Sequence, residues 1–141
     1  MRWLSAIFLL LCVASCWPGT DIAVIVNNNS DLGNLSLKNV QDIFTGELVI
    51  LPNHEIPIPL DERSNLSLRS AYYEALTGKS LPLINEHWAR LLFSGKVTPP
   101  ALLLDEMAML RAVRSNRDAL GYLTLSKVPE DVHVVLTLHA P

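Results

Sequence analysis

Five polar side chains lie in one short segment after an apolar run, and their types suit the binding of a small oxyanion. They are Arg63, Ser64, Asn65, Ser67 and Arg69. The preceding residues 56–60 predict a strand, and an amphipathic helix is predicted to begin near Ser67. The first turn of a helix carries unpaired N–H groups and partial positive charge, and guanidinium groups bind oxyanions in bidentate geometry. The alternative is that Ser64 or Ser67 is only an N-cap and that both arginines are solvated.

The apolar periodicity of the chain predicts alternating strands and helices around this segment. Strands are predicted at 21–27, 56–60, 120–125 and 132–138, and helices are predicted to begin near Ser36, Ser67, Ser80 and Asp105 and to end at Gly46, Gly78 and Gly95. This order predicts a three-layer α/β/α domain with a mostly parallel sheet, in which ligands bind beyond the carboxyl ends of the strands. Pro57 and Pro59 favour an edge position or a short strand for the second strand.

The N-terminal residues predict export. Arg2 is the only charge before Asp21, and an apolar run too short to span a bilayer follows it, so residues 1–19 are predicted to be a signal peptide and residues 20–141 a single domain. Residues 13–16 resemble a lipobox, in which Cys16 would become a lipidated N-terminus; simple cleavage between Ala14 and Gly19 is the alternative. The predicted location is the bacterial periplasm, with membrane contact only through such a lipid anchor.

Composition and spacing exclude several classes of function. Both cysteines, Cys12 and Cys16, precede the predicted domain, which leaves it no disulfide or thiolate site. The formal net charge of −3 and the lack of a basic cluster argue against nucleic acid. The four histidines show no metal-ligand spacing. Asp61 and Glu62 are adjacent, so they make a poor acid–base pair, and we predict neither an enzyme nor a cofactor.

Several segments together resemble the phosphate-binding proteins of ABC uptake systems, in particular their small single-lobe members. The segments are Leu35–Gly46, Ile56–Ser67, the Tyr72–Tyr73 pair, Trp88–Gly95, Thr98–Pro100 and Asn116–Tyr122. The resemblance implies one lobe of a type II periplasmic binding protein. It also implies phosphate or a similar oxyanion as ligand, with Arg63 and Ser67 in contact with it and Asn65 where a hydrogen-bonding acidic residue is found. Ser64 and Arg69 are added on the physical argument above.

The resemblance implies an uptake function, but the residues leave alternatives open. The first expectation is an exported phosphate-binding component of an ABC system, whose partner would be the transporter permease. The second is an interaction module that has kept the fold, lost the ligand and docks on an envelope or sensor protein. Leu68 favours the second, because a glycine usually follows the loop serine in the family. The third is self-association of two lobes around a shared cleft.

Overall fold

The computed structural model describes residues 19–141, and the β-branched run at their start forms a strand inside the sheet. This strand, β1 (Asp21–Asn27), has five consecutive buried residues, as expected for a strand covered on both faces. The predicted signal peptide up to residue 18, including Cys16, lies outside the described residues.

The other elements follow in the predicted order, with one added strand. They are α1 (Leu37–Thr45), β2 (Ile58–Glu62), α2 (Leu66–Thr77), α3 (Leu81–Ser94), β3 (Ala101–Leu103), α4 (Glu106–Ser115), β4 (Ala119–Thr124), a 3-10 turn (Leu125–Lys127) and β5 (Val132–His139). The added strand is β3, whose three residues are too few for a period-2 pattern. Within residues 19–141, no helix is long and apolar enough to cross a membrane.

The five strands form a mixed sheet in the order β3-β2-β4-β1-β5. β2 is parallel to β3 and β4, whereas β1 is antiparallel to both β4 and β5. Four strands therefore run in one direction and β1 runs in the other. The predicted fold class is confirmed. The parallel arrangement expected of the sheet does not hold for β1, because burial on both faces depends on a strand's place in the sheet and not on its direction.

Helices cover both faces of the sheet, which two adjacent residues of β4 make clear. A Cβ added to Gly121 would lie 2.5 Å from Sδ of Met109 in α4, so this position faces α4. Tyr122 stacks on Tyr72 of α2, with ring centroids 3.7 Å apart. Successive strand residues point to opposite faces, so α2 and α4 lie on opposite sides. The three-layer prediction is confirmed.

β2 differs from its prediction in both place and extent. It lies between β3 and β4, so the edge position suggested by its prolines is wrong, although the strand is short as expected. Pro59 is tolerated because Ile58 and Pro59 pair only with β4, while pairing with β3 begins at Leu60. The strand continues through Glu62, two residues into the segment predicted as a polar loop. This extension places two acidic residues in the sheet.

The predicted helix boundaries are largely confirmed. Asp105 caps α4 by accepting a hydrogen bond from the Ala108 N–H, and Gly46, Gly78 and Gly95 follow α1, α2 and α3 in the left-handed conformation. The exception is the start of α2, where the N-cap is Asn65 and not Ser64 or Ser67.

Candidate functional site

The carboxylate of Asp61 lies at the centre of a buried network at the end of β2. The residue is 2% exposed. Its Oδ1 accepts hydrogen bonds from the Tyr122 hydroxyl at 2.6 Å and from the Glu62 N–H at 2.8 Å. Its Oδ2 accepts from the Arg69 Nε–H at 2.9 Å and from the Tyr73 hydroxyl at 3.0 Å. Donors from β2, α2 and β4 thus satisfy one buried charge, as a buried carboxylate requires.

The two tyrosines of this network remain protonated donors. Burial raises the pKa of both the Tyr73 and the Tyr122 hydroxyl, and the negative charge of Asp61 raises it further. A phenolate at either position would be desolvated and would face a carboxylate. The network therefore holds one ion pair, between Asp61 and Arg69, and two neutral hydroxyl donors.

Arg69, predicted as an anion contact, is turned toward this network. Its side chain is 15% exposed and forms the ion pair with Asp61. Its guanidinium also lies 5.9 Å from the centroid of the Tyr73 ring. In this arrangement, the charge of Arg69 is compensated inside the protein.

The carboxylate of Glu62 accepts hydrogen bonds from donors of the loop that would otherwise be available to a ligand. Glu62 is 1% exposed, and its Oε1 accepts hydrogen bonds from the Ser64 hydroxyl at 3.0 Å and from the Asn65 N–H at 2.9 Å. The Asn65 side chain in turn accepts from the Leu68 N–H at 3.0 Å. A carboxylate of the chain itself thus lies at the N-terminus of α2, where the helix dipole favours an anion.

Three of the predicted residues lie on the surface. Arg63, Ser64 and Ser67 are all exposed, although the Ser64 hydroxyl is hydrogen-bonded to Glu62. The backbone N–H of Arg63 donates to the Leu103 carbonyl at 2.9 Å, which fixes the loop to β3 and leaves the side chain outside. Within residues 19–141, the N–H groups of Leu66 and Ser67 donate to no other residue. Of the five predicted residues, Ser64, Asn65 and Arg69 are hydrogen-bonded to carboxylates of the chain itself, whereas Arg63 and Ser67 have exposed side chains. Their assignment as ligands of an anion stays a prediction.

A pocket where β2, β3 and β4 end is lined by two of the predicted residues, Ser64 and Asn65, and by charged residues that the sequence analysis did not connect with the site. Its lining includes Glu62, Glu106, Met107 and Lys127, which follow or end three neighbouring strands. The Lys127 ammonium donates to Oε2 of Glu106 at 2.8 Å. This hydrogen bond, followed by the charges of Glu106 and Glu62, raises the pKa of Lys127. The order of strands could have indicated this pocket, because side chains that follow parallel strands converge at one edge of the sheet. It was not found because β3 was not predicted.

The described residues contain no arrangement that points to a resident metal. Within residues 19–141, no group of three or more His, Cys, Asp or Glu side chains is placed to hold a metal ion.

The fold is similar to that of phosphate receptors of known structure. One is a protein from Clostridium perfringens assigned as a phosphate ABC transporter substrate-binding protein and solved with bound phosphate; the TM-score is 0.65 at 20% identity, over 83% of this chain and 45% of that one. Another is an ABC-type phosphate transport receptor from Vibrio cholerae, with a TM-score of 0.62 at 16% identity, over 83% of this chain and 46% of that one. No protein-family model and no curated protein matches the sequence.

These similarities show a binding-protein-like fold of one lobe. The chain spans less than half the length of each receptor. Both receptors are named as binding proteins of transport systems, which is the class that the sequence resemblance implied. At this identity the similarity extends to the fold, and the ligand has to be argued from the residues of this chain.

Proposed function

We propose that this protein is an exported binding-protein-like lobe that acts as an interaction module of the bacterial envelope, docking on another envelope protein. The observation that carries the proposal is the Glu62 carboxylate at the N-terminus of α2. This carboxylate accepts hydrogen bonds from the Ser64 hydroxyl and the Asn65 N–H, which are donors that a phosphate ion would need. Arg69, the second candidate cation, is compensated by Asp61.

Electrostatics supports the same conclusion. A phosphate at this loop would lie beside the buried carboxylate of Glu62, and desolvated like charges repel strongly. To bind it, the chain would have to break two hydrogen bonds and move Glu62 out of its buried position. That cost subtracts directly from the affinity for the anion.

Oxyanion binding remains the second candidate, since four groups favour it. The Arg63 and Ser67 side chains are exposed, and the N–H groups of Leu66 and Ser67 in the first turn of α2 donate to no other described residue. A phosphate held there would be an open surface ligand, and the protein would then be a phosphate-binding component whose partner is a transporter permease.

Titration with phosphate separates the two functions. We expect that phosphate at millimolar concentration gives no larger thermal stabilisation than sulfate or chloride, because a ligand raises the unfolding midpoint only when it binds the folded state. A rise specific to phosphate that is lost in Arg63→Ala and Ser67→Ala would contradict the proposal and support the second candidate. Arg111→Ala is the matched control, since Arg111 is an exposed arginine on α4.

Photo-crosslinking in cells tests the interaction directly. A photoreactive residue at Met107, beside the pocket, is expected to give one discrete adduct with another envelope protein. The same residue at Val49, which is 52% exposed and lies outside this pocket, is the control. An adduct with twice the mass of the protein would instead indicate self-association, and equal labelling at both positions would count against a specific partner.

A further inference from the structure

Two residues that line the pocket at the ends of β2, β3 and β4 each have a buried carboxylate oxygen without a hydrogen-bond partner in residues 19–141. Glu62 is 1% exposed, and its Oε2 receives no hydrogen bond from any described residue. Oε1 of Glu106 is also buried and without a partner within residues 19–141. Both residues line the same pocket. Because unpaired buried carboxylate oxygens are unfavourable, these two oxygens call for a donor from outside residues 19–141.

The charges of the pocket favour a cation. Its lining holds three carboxylates, those of Glu62, Asp105 and Glu106, and one ammonium, that of Lys127. The Asp105 carboxylate is already engaged, because it accepts the Ala108 N–H at 2.8 Å as the cap of α4. The two remaining carboxylates share a single internal cation, so the pocket attracts a positive group and repels an anion.

The pocket already accepts an ammonium group from the chain itself. Lys127 donates to Oε2 of Glu106, and the lysine side chain is 59% exposed while that of Glu106 is 19% exposed. This contact uses one oxygen of Glu106 and leaves Oε1 and the Glu62 Oε2 unpaired. A second donor would therefore use acceptors that Lys127 does not occupy.

Exposed apolar side chains that line the pocket or are next in sequence to its lining distinguish a protein ligand from a free amine. Leu66 is 61% exposed, Leu104 is 65% exposed and Met107 is 60% exposed. Leu66 and Leu104 directly follow and precede pocket residues, and Met107 lines the pocket. A small amine would leave these side chains in water, whereas a protein segment would cover them. Interfaces commonly surround a charged anchor with apolar contacts that exclude water.

We infer that this pocket receives an arginine or lysine side chain of a protein partner, with apolar neighbours of that residue packed on Leu66, Leu104 and Met107. Arginine fits better, because a planar guanidinium has enough donors to reach two carboxylates at once. The inference rests on the proposed function and names the chemistry of its partner.

Chemical-shift titration of the full chain, purified after export, tests the inference with peptides as probes. The probes are Ac-Leu-Arg-Leu-NH2, its neutral analogue Ac-Leu-Gln-Leu-NH2, and arginine amide alone. We expect the arginine peptide to bind about tenfold more tightly than either other probe, the factor that one charged hydrogen bond or a small apolar contact supplies. The shifted resonances should include those of Ser64, Glu106 and Met107.

Variants and further probes make the result decisive. Glu106→Gln should weaken the arginine peptide about tenfold, and Glu130→Gln, the same change at an exposed position outside the pocket, should not. Equal binding of the arginine and glutamine peptides would overturn the inference. Arginine amide as tight as the arginine peptide would assign the pocket to a small cation, and saturation of the same resonances by Ca²⁺ would assign it to a metal; both also overturn it. Phosphate added to the same sample tests the proposed function separately, since its shifts would centre on Arg63 and Ser67.

Discussion

At the scale of single residues, the chemistry of this lobe depends on how two adjacent carboxylates are satisfied. Asp61 accepts from four donors, one of them an arginine, whereas Glu62 accepts through one oxygen and its other oxygen has no partner in residues 19–141. Because strand residues alternate in direction, the two side chains enter different environments. Asp61 holds the core together, and Glu62 fills the helix N-terminus and contributes to the pocket.

Asp61→Ala should destabilise the protein strongly. Removing one partner of a buried ion pair leaves the other charge uncompensated, which typically costs about 3–5 kcal/mol, and here two tyrosine hydroxyls lose their acceptor as well. Urea unfolding measures the change. Asp131→Ala is the matched control: its carboxylate also pairs with an arginine, Arg114, through two hydrogen bonds, but its side chain is 56% exposed. We expect that control to unfold near the wild-type midpoint, and equal effects of the two variants would refute the role given to Asp61.

At the scale of elements, α2 is attached to the sheet by its first turn. The loop between β2 and α2 is only three residues, residues 63–65, and every step in it is fixed by a hydrogen bond. The Glu62 carboxylate accepts hydrogen bonds from Ser64 and Asn65. The Asn65 side chain caps α2 by accepting from the Leu68 N–H, and the Arg63 N–H donates to the Leu103 carbonyl of β3. These hydrogen bonds hold the loop backbone to the sheet and to α2, and Arg63, Leu66 and Ser67 are exposed.

The N-cap of α2 should contribute measurably to stability. Asn65→Ala removes the acceptor of the Leu68 N–H at 3.0 Å, and loss of an N-cap side chain costs about 1 kcal/mol. Ser80 holds the same position at the start of α3 but makes no side-chain hydrogen bond there. Ser80→Ala should therefore cost clearly less, as measured by urea unfolding of both variants. A larger effect at Ser80 would show that the two caps are assigned wrongly.

At the scale of the whole molecule, the sequence predicted where the elements lie better than how their polar residues are used. Helix ends at Gly46 and Gly78 are local signals, since a left-handed residue favours glycine whatever the tertiary context. The strand at β2 was predicted, but its last two residues were assigned to a loop because Asp and Glu are rarely buried. The burial of Asp61 depends on Arg69, Tyr73 and Tyr122, which lie 8, 12 and 61 residues away in sequence. For the same reason, no local pattern could predict that Arg69 would be engaged inside the protein.

An aromatic cluster that shares Tyr73 and Tyr122 with the Asp61 network lies between the sheet and the helices α1 and α2. Tyr72 stacks on Tyr122, and Phe44 of α1 meets the Tyr72 ring edge-on at a centroid distance of 5.1 Å. All three tyrosines of the chain, Tyr72, Tyr73 and Tyr122, are buried. Burial raises the pKa of each hydroxyl, and the Asp61 charge adds to the rise.

These raised pKa values predict a steep loss of stability in alkali. Below about pH 10, the pKa of an unfolded tyrosine, both states are protonated and the contribution is complete. Above it, the unfolded chain loses protons that the folded state keeps, so stability falls by up to about 1.4 kcal/mol per pH unit for each tyrosine. Tyr72→Phe removes the contribution of one of the three tyrosines. Stability at pH 7 should be unchanged or higher, because the buried Tyr72 hydroxyl has no partner among the described residues. The loss of stability per pH unit in alkali should be about one third smaller. Urea unfolding from pH 7 to 12, with phenolate absorbance recorded alongside, checks this, and phenolate that forms before unfolding would contradict it.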